Sequence, residues 1–171
     1  MKSAPFILMA AALVACGNAK PAATAETAPP PKPVAVDTTP KAVSTNVGLG
    51  GDIIAACNIQ FSQTTDAPKF DTDSTGLSPE DTKVLDQVAT CLTTGPLKGR
   101  SLQLVGRADS RGTESYNMAL GANRAHQVMT YLQQKGVTAK MNETSRGALD
   151  ATGHDDASYR NDRRVDLVLG S

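Results

Sequence analysis

Apolar positions recur at helical spacing in two stretches of the C-terminal part of the chain and alternate along the strands between them. Val84, Leu85, Val88 and Leu92 follow a helix start at Ser78-Pro79-Glu80-Asp81, with Ser as N-cap, Pro at the first position and acids in the first turn. Residues 93–99, with two Gly and a Pro, end that helix. Residues 101–106 read as a strand and 109–112 as a turn. A second helix is predicted over 115–135, ending at Gly136, with Ala125, Val128, Met129 and Leu132 as its apolar stripe. A strand follows over 142–147, a polar connection over 150–161, and a final alternating strand over 165–169. Upstream, 52–57 reads as a helical turn, and 59–61 and 69–71 as short strands.

Two strand–helix–strand units predict parallel neighbours joined by right-handed crossovers, and the last strand is free to run antiparallel. The expected fold is α+β: a two-layer α/β sandwich with a mixed βαβαβ-β sheet and its helices packed on one face.

The first 48 residues carry a different pattern. Lys2 followed by an apolar run over 6–15 is an export signal, too short to span a bilayer as a mature helix. It closes on Leu13-Val14-Ala15-Cys16, which resembles the bacterial lipobox, so residues 1–15 are expected to be removed and Cys16 lipidated. One acyl chain, such as palmitate, holds a protein marginally, whereas two or more hold it firmly. Gly17 after the Cys favours the outer membrane over inner-membrane retention. From residue 16 to 48 the chain is Ala, Pro and Thr with scattered Lys, including Pro29-Pro30-Pro31-Lys32-Pro33, and reads as a tether to a folded domain over 49–171.

Charge and composition exclude several functions. The chain is formally neutral, and from Asn46 onward it has 13 basic and 15 acidic residues. No nucleic-acid footprint is present. Aromatics are 4% with no Trp, so stacking platforms for sugars or bases are not expected. Cys57 and Cys91 in an exported chain default to a disulfide, with two buried thiols or half a metal site as alternatives. His126 and His154 show no ligand spacing, and no cofactor is implied. Asp71 to Gly76 opens like a calcium loop, but Thr82 stands where the closing Glu belongs. No nucleophile elbow or Cys–His pair supports catalysis; Asp109 with Glu114 is the one imaginable carboxylate pair.

The densest chemistry lies between Leu104 and Arg124. A strand ends at Asp109, a polar turn follows, and the next helix brings Arg124 back beside it. One carboxylate and one guanidinium in one place match the two ends of an amino-acid zwitterion. The bland alternative is an internal salt bridge between Asp109 and Arg124.

These residues also carry a resemblance. Phe70-Asp71-Thr72-Asp73-Ser74, Gly106-Arg107-Ala108-Asp109, Gly112, Tyr116-Asn117, Leu120, Arg124-Ala125 and Asp162-Arg163-Arg164-Val165 resemble the motifs of the outer-membrane-protein-A-like C-terminal domain family over about 70–169. With the lipobox and tether the chain is similar to the peptidoglycan-associated lipoproteins. The resemblance implies noncovalent peptidoglycan binding through the stem-peptide diaminopimelate. Asp109 would take its ammonium, Arg124 its carboxylate, Asn117 a hydrogen bond, and Arg163 would border the pocket. It also implies an outer-membrane lipoprotein facing the periplasm, with Tol-type or other envelope proteins as further partners.

The family's His and Thr before the Asp are replaced by Arg107 and Ala108, its Ser after Leu by Gly121, and its Asn before Arg163 by Asp162. Arg107 is expected at the pocket rim or paired with Asp162. Gly121 is expected to weaken the helix start by up to about 1 kcal/mol. The altered motif leaves a second reading: an envelope adaptor with little wall binding.

Overall fold

The computed structural model describes residues 47–61 and 70–171. The signal segment, Cys16, most of the tether and Lys69 lie outside the described residues.

Eight elements follow in order: β1 (Val47–Leu49), α1 (Gly51–Cys57), α2 (Pro79–Thr93), β2 (Leu102–Arg107), α3 (Glu114–Gln134), β3 (Met141–Gly147), α4 (Asp156–Asp162) and β4 (Val165–Leu169). α2 starts as its sequence predicts. The Ser78 hydroxyl accepts from the Asp81 backbone N–H, and the Asp81 side chain accepts from that of Ser78. α3 starts one residue earlier than expected, with Thr113 as its N-cap. The polar connection after β3 forms a short helix, α4, closed by an Asp155–Ser158 capping box.

The sheet order is β1-β4-β2-β3. β2 and β3 are parallel across the α3 crossover, and β4 runs antiparallel to β2. Leu102 and Leu104 point into the core, where Val165 and Leu167 of β4 meet Ala125, Val128 and Leu132 of α3 and Leu85 and Val88 of α2. This is the expected α+β mixed sheet with a helical layer.

The first strand–helix–strand unit differs from expectation. The other parallel pair is β1 with β4, Val47 lying opposite Val165, and β1 includes Val47 and Gly48 from the end of the segment read as tether. Residues 59–61 form no strand. A side chain replaces the strand neighbour there: Gln60 N–H donates to Gln87 Oε1 at 2.8 Å, and Gln87 Nε2 donates back to the Gln60 carbonyl at 2.9 Å. Phe70 and Asp71 form none either, because guanidiniums take their carbonyls, as described below.

Cys57 and Cys91 form a disulfide, joining the last residue of α1 to the buried side of α2. Gly121 lies two turns into α3, not at its start, and faces Gly106 of β2. A Cβ on Gly121 would lie 2.9 Å from the Gly106 carbonyl oxygen. The glycine pair thus sets how closely α3 approaches the sheet above the site.

Candidate functional site

Strand alternation sends Arg107 to the sheet face opposite α3 and carries the chain on to Ala108 and Asp109 at the end of β2. The turn passes through Gly112 at φ +92°, a left-handed conformation that glycine adopts without steric cost. Asn117, the fourth residue of α3, reaches back and donates Nδ2 to the carbonyls of Asp109 (3.2 Å) and Arg111 (2.9 Å), fastening the turn to the helix. Arg124 is seven residues further on, about two helical turns, and so shares that face. Arg163 follows α4 directly, at its C-cap.

These segments enclose a cleft of about 300 Å³. Asp109, Asn117, Arg124 and Arg163, the four residues singled out from sequence, all line it. Each is buried, and Arg124 has no solvent exposure.

The expected partnership between Asp109 and Arg124 is not made. Asp109 accepts from Arg111 Nη2 at 2.9 Å and Arg163 Nη1 at 3.0 Å. Arg124 instead donates to three backbone carbonyls: Ser74 (2.9 Å), Arg107 (2.9 Å) and Asp71 (3.1 Å). Its guanidinium carbon lies 5.0 Å from the centre of the Phe70 ring. Three of its five donors are thus engaged, and among the described residues no carboxylate pairs with it. Burial, reinforced by the nearby charge of Arg163, lowers its pKa to about 10, so it is a cation at neutral pH. Arg163 also donates Nε to the Phe70 carbonyl at 2.6 Å. Arg124 and Arg163 together strap the segment from Phe70 to Ser74 over the site.

Burial pushes the Asp109 pKa up, but hydrogen bonds from Arg111 and Arg163 outweigh it and hold the carboxyl at about 2. A folded pKa below the unfolded value contributes stability above the unfolded value, about 4. That contribution is lost as pH falls through about 2. Asp150, which Arg146 and Arg107 hold at about 2, acts in the same window. Domain stability is therefore expected to fall steeply between about pH 4 and pH 2. Denaturant melts at stepped pH measure this, and carboxyl-carbon NMR of Asp109 assigns the titration.

Arg107 borders neither the pocket nor Asp162. It pairs with Asp150 and Asp166 on the opposite face. Asp162 instead accepts from the backbone N–H groups of Thr152 (3.1 Å) and Gly153 (2.9 Å), fixing the loop before α4. Ala108 contributes a buried wall to the cleft.

Sequence reasoning missed Arg111, Tyr116 and Asp73 as site residues. Tyr116 Oη donates to Asp73 Oδ1 at 3.0 Å across the cleft. The available signal was a cation two residues beyond Asp109 in a turn held by glycine.

The OmpA family profile matches residues 69–164. The peptidoglycan-associated lipoprotein of Pseudomonas aeruginosa is 43% identical over 101 residues, covering 57% of this chain and 58% of that protein. The peptidoglycan-associated lipoprotein of Rhizobium meliloti is 38% identical over 104 residues, covering 59% and 58%. The crystal structure of the peptidoglycan-associated lipoprotein from Burkholderia pseudomallei superposes with a TM-score of 0.55 at 39% identity, covering 60% of this chain and 88% of that one. The alignments span about three fifths of these curated relatives.

Proposed function

The chain belongs to the OmpA family, and from that premise we propose that it is an outer-membrane lipoprotein whose periplasmic domain binds peptidoglycan noncovalently. The ligand is the free end of diaminopimelate in the stem peptide. Cys16 carries the lipid, residues 17–46 tether the domain, and binding couples the membrane to the wall. The role is attachment, not catalysis.

The observation that carries the reading is a buried guanidinium, with no carboxylate paired to it among the described residues, beside a buried carboxylate in one cleft. Among the described residues two donors of Arg124 have no acceptor, and an incoming carboxylate would reach them from the cleft that Arg124 lines, while Asp109 supplies the negative pole for an ammonium. Charge-assisted bonds of this kind contribute about 1.5–3 kcal/mol each. A single site binds modestly, and many anchored copies on one polymer bind firmly through avidity. Arg107 faces away from the cleft, so the altered Gly106-Arg107-Ala108-Asp109 motif leaves both poles in place. This weighs against the adaptor reading.

Full-length protein in detergent is expected to co-sediment with purified sacculi. Asp109→Asn and Arg124→Lys should each lower binding by about tenfold or more, with circular dichroism confirming a folded domain. Wild-type binding in both folded variants rejects the pocket. Cys16→Ser should move the protein from the membrane fraction to the soluble fraction, and continued membrane fractionation rejects the anchor.

A further inference from the structure

We propose that Arg111 is a resident cation occupying the ammonium half of the cleft, and that it determines specificity because a ligand must displace it with an ammonium of its own. The inference rests on the zwitterion reading given above. A carboxylate offers about four lone-pair sites, and those of Asp109 are filled. Oδ1 accepts from the backbone N–H and the Nε of Arg111, both at 3.1 Å. Oδ2 accepts from Arg111 Nη2 and Arg163 Nη1. An incoming ammonium therefore has no free place on Asp109.

The four bonds are not equally easy to break. Arg163 is buried and also anchored to the Phe70 carbonyl. The Arg111 backbone N–H is fixed by the turn. The Arg111 side chain is 42% exposed, and an alternative berth lies beside it on α4. Its guanidinium carbon sits 4.6 Å from the centre of the Tyr159 ring, and Nη1 is 3.6 Å from Asp156, a side chain 97% exposed. Released from Asp109, the guanidinium keeps a π-face and a carboxylate. Among the described residues its one further side-chain partner is the Thr72 hydroxyl, 3.2 Å from Nη2.

Selectivity follows from the exchange. A ligand that brings only a carboxylate gains nothing by moving Arg111, because Asp109 would then be buried with two hydrogen bonds fewer. A ligand that brings both charges replaces the cation it displaces.

Calorimetric titration of the full chain with a soluble stem peptide ending in meso-diaminopimelate tests this. Arg111→Ala should bind about three- to tenfold more tightly than wild type, while Arg111→Lys, which restores a competing cation, stays near wild type. In the wild type, ligand should shift the Arg111 Nε–H resonance and leave that of Arg163 in place. Unchanged or weaker binding by folded Arg111→Ala, or an unmoved Arg111 resonance in the complex, overturns the resident-cation role. If wild type binds and loses binding on Asp109→Asn, such a result leaves the peptidoglycan reading intact. Absence of binding in both wild type and Arg111→Ala overturns both.

Discussion

Gly106→Val is expected to remove about 3 kcal/mol or more of domain stability, enough to abolish a cooperative thermal transition at modest temperature. A Cβ at Gly106 would lie 2.5 Å from the Gly121 carbonyl carbon and closer still to its oxygen. The obstacle is helix backbone, which cannot turn aside as a side chain can. Lifting α3 from β2 would open the contacts of Ala125 and Val128 and pull Arg124 away from the Arg107 carbonyl. Gly121→Ala should cost less: the Ser145 hydroxyl in its way can rotate, and the backbone obstruction, the Gly106 carbonyl oxygen at 2.9 Å, is far milder than the one a Cβ on Gly106 would meet. Guanidinium denaturation of both variants ranks them, and equal costs would show that the contact at Gly106 relaxes without moving the helix.

Replacing both cysteines with serine should cost about 3–4 kcal/mol, since the Cys57–Cys91 bond closes a loop with a sequence separation of 34. The expected fall in melting temperature is roughly 15 °C. Reductant should lower the wild-type melting temperature by a similar amount and leave the double variant unmoved. Equal melting temperatures for oxidised wild type and the double variant would show that the bond adds nothing. Because α1 is only seven residues long and buries Ile53 alone, much of the loss should appear as fraying of the β1–α1 segment.

The parts of the fold legible in the sequence are those specified locally. α2 announces itself through its cap and stripe, α3 through its stripe and Gly136, and β4 through alternation. β1 was not legible. Two apolar residues and a glycine where a Pro- and Thr-rich segment ends become a strand only because β4 lies beside them, more than a hundred residues away. The strand expected at 59–61, and the described part of the one expected at 69–71, Phe70 and Asp71, failed for a related reason: side chains from distant elements satisfy their backbone groups. The site was legible in membership and not in wiring. Periodicity and the family motifs brought Asp109, Asn117, Arg124 and Arg163 to one cleft. That Asp109 pairs with Arg163 and Arg111, and Arg124 with carbonyls some fifty residues upstream, follows from the path of the Phe70–Ser74 strap. No spacing rule encodes that path.

The position of the disulfide bears on how the domain withstands tension. A pull arriving from the N-terminal side reaches the folded domain at Val47, in an edge strand held to β4 by three residue pairs. With so few pairs that strand is expected to yield first, followed by α1, which buries Ile53 alone. Unravelling then stops at Cys57, where a covalent bond passes the load to α2 and the sheet beneath the cleft. The first residues act as a short shock absorber, and the sheet beneath the cleft is spared until the bond itself is reduced.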